Sequence, residues 1–185
     1  MKKIIAVEWL SLDGFFSGPK DETDWFIMDE GTGQYLSNLF KTIDTIVLGQ
    51  VTYEMFSAYW PKPDPADGNS KEFIDFMNNS QKVVFSKSLK EVEWNNSVLM
   101  EDIIPAEINK IKKGSGKDIV IFGSGSIVSQ LTKLGLIDEY QFLVNPVFVG
   151  NGKTIFKSEE AKAKLKYLDS KTFGNGNIML QYELA

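Results

Sequence analysis

Hydrophobic and polar positions along the chain alternate between two rhythms: short unbroken apolar runs of strand length, and stretches in which apolar residues recur every three or four positions. The runs Lys2 to Trp9, Thr45 to Leu48, Lys82 to Phe85, Ser97 to Met100 and Ile119 to Phe122 predict strands. The last is apolar throughout, as in a strand covered on both faces. Between them, Tyr35, Leu36, Leu39, Phe40 and Ile43 fall on one helical face, Val51 to Ala58 predicts a second helix, Phe73, Ile74 and Met77 mark a third, and a fourth starts near Pro105. Ile127, Val128, Leu131 and Leu134 then line one face of a fifth, with Lys133 in its last turn and Gly135 at its exit. A long strand follows, whose apolar stretch Phe142 to Phe148 reads as a sheet edge available to a second copy of the chain. Lys164 to Thr172 and Asn177 to Leu184, separated by Phe173-Gly174-Asn175-Gly176, read as a terminal antiparallel hairpin. The whole predicts an α/β chain with a mainly parallel sheet and an antiparallel C-terminal edge.

Two segments break the rhythm. Ser11 to Asp24 holds Gly14, Gly18 and Pro19, too many breakers for a regular element, and is a candidate active-site loop. Residues 61–70, PKPDPADGNS, are the most loop-like in the chain. At 185 residues the expectation is one domain, residues 1–185, large enough to bury roughly 70% of its unfolded surface. No window approaches the ~20 apolar residues of a membrane span. The charged start lacks a small-residue cleavage site, so the expected location is cytoplasmic.

Composition narrows the chemistry. The chain has no Cys and no His, which excludes thiolate metal sites, Cys nucleophiles and Ser-His-Asp triads. All 20 basic residues are Lys, so no guanidinium fork is available for phosphate or carboxylate. A net charge of −5 argues against a nucleic-acid surface.

The richest local pattern is Gly123-Ser124-Gly125-Ser126, which joins an apolar strand to an amphipathic helix and lets bare backbone N–H groups face outward at a helix start. A tight turn in which Ser124 or Ser126 caps the helix accounts for it equally well. The dinucleotide fingerprint would require Gly at position 128, which is Val128. Gly152-Lys153-Thr154 fails as a phosphate loop, because the required earlier Gly is Val147. Three polar strand ends nonetheless converge in principle: Gly49-Gln50-Val51-Thr52, Ser86-Lys87-Ser88 and Gly123 to Ser126. Ligands of open α/β sheets bind outside such carboxyl ends.

Six segments together resemble the dihydrofolate-reductase-like proteins related to the reductase half of bacterial riboflavin-biosynthesis deaminase-reductases. They are SLDG at Ser11 to Gly14, LGQVTYEMF at Leu48 to Phe56, VFSKSL at Val84 to Leu89, FGSGSIVSQL at Phe122 to Leu131, GLIDE at Gly135 to Glu139 and NPVFVGNGKTIF at Asn145 to Phe156. The resemblance implies a three-layer α/β/α sandwich, a homodimer, and reduction of a small heterocycle by NADPH, as in 5-amino-6-(5-phosphoribosylamino)uracil reductase. It places Gly123, Ser124, Gly125 and Ser126 at a pyrophosphate, Gly49, Gln50 and Thr52 near the phosphates, and Ser86 and Lys87 near the adenosine ribose. Gln50 stands where the family usually has Arg, so NADH remains an alternative cofactor.

On the substrate side the resemblance points to Trp9, Phe16 and Trp25 as walls for a flat ring and to Asp13 as orienting or proton-relaying group. Core packing for the aromatics, and bracing of the Ser11 to Gly14 turn for Asp13, are the plain alternatives. Asp24, Asp29 and Glu30 lie where dihydrofolate reductases carry an acid. Two functions stay open: an NAD(P)H-dependent reductase, and a non-catalytic nucleotide- or pterin-binding protein on the same scaffold.

Overall fold

Ile119 and Ile121 face one apolar layer while Val120 and Phe122 face another, so the strand they occupy is sandwiched between two cores. The structure, a computed structural model, describes residues 1–156 and 162–185. Its eight strands are β1 Ile4–Ser11, β2 Ile43–Gly49, β3 Gln81–Phe85, β4 Ser97–Met100, β5 Asp118–Phe122, β6 Glu139–Asn145, β7 Leu165–Thr172 and β8 Ile178–Leu184. They form a single sheet in the order β4-β3-β2-β5-β1-β6-β8-β7. Every pairing from β4 to β6 is parallel, and β8 and β7 are added antiparallel.

The helices are α1 Glu30–Phe40, α2 Gln50–Tyr59, α3 Lys71–Asn79, α4 Pro105–Lys113 and α5 Gly125–Lys133. Leu36 and Phe40 of α1, Tyr53 of α2 and Met77 of α3 pack in one core, and Ile108 of α4 with Ile127, Val128 and Leu131 of α5 in the other. This is the expected three-layer sandwich, with its core split by the sheet. Phe40 anchors the first core through stacked contacts with Phe73 and Phe76, at ring separations of 5.0 and 4.6 Å.

The structure shifts several boundaries. Ile43 opens β2 instead of closing α1, because Ile43-Asp44-Thr45-Ile46-Val47 is rich in β-branched residues that favour a pleated backbone. A bulge between Ile43 and Thr45 then turns Ile43 toward the same core as Ile46 and Leu48. Leu134, assigned to the apolar face of its helix, caps the end of α5 and is 45% exposed.

The edge assigned to Phe142–Phe148 is overturned. β6 is enclosed by β1 on one side and β8 on the other, and it ends at Asn145. The free edges are β4 and β7, and every residue of β7 is exposed. Among the described residues no helix is long and apolar enough to cross a membrane.

Candidate functional site

The carboxyl ends of β2, β3 and β5 open into one cleft of about 1010 Å³, at the upper end of the size of small-molecule sites. Gly49, Gln50, Thr52, Ser86, Lys87 and Gly123 to Ser126, all expected at a cofactor, line it. It is roofed by the loop after β1, through Phe16 and Ser17, and by Lys153 to Ile155. These two segments are stitched together: Phe16 N–H donates to Lys153 O, Lys153 N–H donates to Ser17 O, and the Lys153 ammonium binds both oxygens of Asp21 at 2.6 Å. Gly152 allows that approach, since a Cβ there would overlap the Ser17 carbonyl.

The starts of α2 and α5 both face this cleft, and both are bare. α1 is capped by Asp29 and α3 by Ser70, and α1, α3 and α4 each carry an acid in their first turn. α2 and α5 have neither a side-chain cap nor an acid there. Ser124 occupies the cap position of α5, yet its hydroxyl accepts from Gly49 N–H at 2.7 Å and donates to Thr52 Oγ1. Thr52 Oγ1 in turn donates to Gly123 O. These hydroxyls tie β2 to β5 and bring the two helix starts side by side. Unpaired N–H groups and the positive ends of two helix dipoles therefore converge on one space, which suits an anion with two phosphates. Gly123 is exposed, with φ +55, a left-handed backbone that glycine adopts without penalty.

Other predicted cofactor residues are occupied. Gln50 accepts from Ser86 Oγ at 2.7 Å and Ser88 Oγ at 2.6 Å, and donates to Glu54. Ser86 also accepts from the N–H groups of Ser88 and Leu89, so its hydroxyl shapes the turn after β3. Lys87 lies on the rim, paired with Asp102 at 2.6 Å. Ser126 is exposed at the first turn of α5.

The aromatic residues separate into two groups. Trp9 lines the cleft and stacks on Phe26 at 5.6 Å, whereas Trp25 meets Phe26 edge-on and is absent from the lining. Phe16 lies over the start of α5, so close that a Cβ at Gly125 would come within 2.9 Å of its ring. Asp13 is also absent from the lining. Its carboxylate accepts from Ser11 Oγ at 2.6 Å and from the N–H groups of Val149 and Gly150. The Ser11 bond first, then the backbone donors, hold its pKa below the usual carboxylate value. This geometry is that of a brace between two loops. Asp29 is likewise committed, to Thr32 and Asn175.

Sequence reading passed over Glu8. It lies on β1, lines the cleft and is 1% exposed. Neither of its oxygens has a hydrogen-bond partner among the described residues. Burial pushes its pKa well above the ordinary value; the nearby Gly123 amide pulls weakly the other way without forming a hydrogen bond. The available signal was its place in the alternation, since Ile4, Ala6 and Leu10 on its face all belong to one core. Trp9 Nε1 and Ser17 Oγ are also buried without partners and line the same cleft.

Comparison with known proteins agrees with this architecture. The chain is 34% identical over 181 residues to the uncharacterized protein YyaP of Bacillus subtilis (strain 168), covering 98% of this chain and 94% of that one. A protein of Shewanella sp. PV-4 described as a candidate riboflavin biosynthesis protein superposes with a TM-score of 0.74 at 19% identity, over 99% of both chains. Dihydrofolate reductase of Enterococcus faecalis, in complex with NADP(H) and RAB-propyl, superposes with a TM-score of 0.64 at 14% identity, over 98% of this chain and 96% of the reductase. Both share the fold. Residues 2–179 match the RibD C-terminal domain, and the chain belongs to that family.

Proposed function

We propose that the protein is a reductase that uses a nicotinamide dinucleotide, NADPH with NADH as the alternative, to reduce a small flat heterocycle of pterin or pyrimidine type. The observation that carries this reading is the pair of uncapped helix starts, α2 and α5, facing one cleft at the carboxyl ends of β2 and β5. The residues present fit the dinucleotide. Backbone N–H groups at Gln50 and from Gly123 to Ser126 meet the pyrophosphate, and Lys87 reaches a ribose phosphate by exchanging Asp102 for it. When bound, the dihydronicotinamide supplies the hydride.

The chain itself contributes position and exclusion of water. Trp9 and Phe26 form a stacked wall for a flat ring, and Phe16 and Ile155 close the opposite side. Holding two rings face to face in such a cleft converts a bimolecular encounter into an oriented one.

Separate titrations with NADPH and NADH, followed by quenching of the four Trp residues and checked by calorimetry, test the proposal. Binding of NADPH is the expected result, and binding of neither removes the reading. Oxidation of bound NADPH by pterin, pyrimidine or small carbonyl compounds then separates a reductase from a protein that only binds.

A further inference from the structure

Three buried polar groups without partners, the Glu8 carboxyl, the Ser17 hydroxyl and the Trp9 indole N–H, all line one cleft. Elsewhere among the described residues the deeply buried charged side chains are satisfied. Lys82 donates to the carbonyls of Asn78, Ser80 and Asn95, Lys112 binds Asp138, and Lys2 binds Asp44. A buried carboxyl with nothing to bond costs the fold free energy and persists where a ligand completes it.

We infer that Glu8 is the proton donor of this site: a neutral carboxylic acid whose Oε–H faces the heteroatom of a C=N or C=O group in the substrate. The inference rests on the reductase reading above and narrows its substrate class. Glu8 extends from β1 one residue beyond Val7, the partner of the last β5 residue Phe122, and it is opposite Phe142 in the β6 register. Among the described residues, none of the charged groups lining the cleft is a hydrogen-bond partner of its carboxyl. From the loop after β1 the charged cleft group is Asp21, and from residues 151–156 it is Lys153; these two neutralise each other. From α5 it is Lys133, in the last turn. From the ends of β3 and β4 they are Lys87, paired with Asp102, and Glu101. An acid buried in a cleft whose apolar lining includes Phe16, Ile127 and Ile155 keeps its proton, the state a proton donor requires.

The reaction balances as follows. The carbon of the substrate double bond gains a hydride, two electrons and a proton, from the dihydronicotinamide. The π bond opens, its electron pair moves to the nitrogen or oxygen, and that atom takes the proton of Glu8. The products are the reduced substrate, oxidised nicotinamide and the Glu8 carboxylate, which is reprotonated from solvent before the next cycle. A substrate reduced at an isolated C=C bond has no heteroatom for this acid to serve.

Infrared difference titration of the full chain and of Glu8→Gln, with 7,8-dihydropterin as imine probe, tests the inference. The expected result is a protonated carboxyl band at pH 7 that Glu8→Gln lacks, and that shifts when NADPH-loaded protein takes up the probe. NADPH oxidation with the probe falls roughly 100-fold or more in Glu8→Gln and loses its basic limb, while NADPH affinity stays within about twofold. An ionised Glu8 at pH 7, a band unmoved by the probe, or wild-type turnover in Glu8→Gln overturns the proton-donor role and leaves the reductase reading standing. Failure of both proteins to bind NADPH or NADH removes that reading, and the inference with it.

Discussion

The two ends of the sheet are built on opposite rules. At the amino ends of the strands, the buried charged groups are paired: Lys2 with Asp44 at 2.9 Å, Lys112 with Asp138 at 2.6 Å, and Asp138 also accepting from Ile4 N–H. Lys82 is fully buried there under the Trp94 ring, 4.2 Å from its centroid, with three carbonyls around the ammonium, and burial still draws its pKa down to about 8. At the carboxyl ends, two helices start bare and three buried polar groups lack partners. One end holds the fold together, and the other carries unmet bonding capacity at the expense of stability, as binding sites do.

Breaking the closed end has the largest expected effect. Asp138→Ala leaves the Lys112 ammonium, whose side chain is 6% exposed, without its counter-charge and with the Leu136 carbonyl as acceptor, and frees the Ile4 amide. Removing one partner of such a pair costs about 3 kcal/mol, reduced here because Asp138 is 33% exposed. Urea denaturation is expected to show a lower midpoint with an unchanged slope and NADPH affinity intact.

Gly123→Ala tests the open end. A Cβ there has room, lying 3.7 Å from Thr52 Cγ2, but the left-handed φ costs about 1 kcal/mol and the methyl group stands where a ligand meets bare backbone. NADPH affinity is expected to fall about tenfold, or about 1.4 kcal/mol, which calorimetry reads directly. A stability loss with unchanged affinity would erase the distinction between the two ends.

The third test is a pH slope. Glu8 binds its proton more tightly in the folded chain than in the unfolded one, where its pKa is about 4.3. Above that value the unfolded chain holds fewer protons, so stability declines as pH rises until the folded pKa is passed. Chemical denaturation across pH 4 to 8 is expected to show this decline in the native chain and a flatter profile in Glu8→Gln.

Much of this was legible in the residues. Strands β3, β4 and β5 and the terminal hairpin follow from apolar runs and turn residues, and the turn from Gly123 to Ser126 lines the cleft as expected. Legibility failed where an assignment depended on contacts distant in sequence. Gln50 looked like a ligand group, but its amide is consumed by Ser86 and Ser88, 36 and 38 residues away. Asp13 looked poised for chemistry, yet its donors at Val149 and Gly150 come from 136 and 137 residues further along the chain. Phe142 looked like an edge because nothing local foretells that β8 returns beside it. Glu8 was hidden for the opposite reason: its significance lies in having no partner, and a sequence displays neighbours, not vacancies.

The seam between Ser17 and Lys153 closes the roof of the cleft. Both sides of it line the cleft, and two backbone hydrogen bonds and the Asp21 ion pair hold them together. A roof held this way depends on one register between two loops, which a single added Cβ at Gly152 would disturb. Because the Asp21 and Lys153 side chains are 39% and 34% exposed, added salt screens their attraction and loosens that side of the roof.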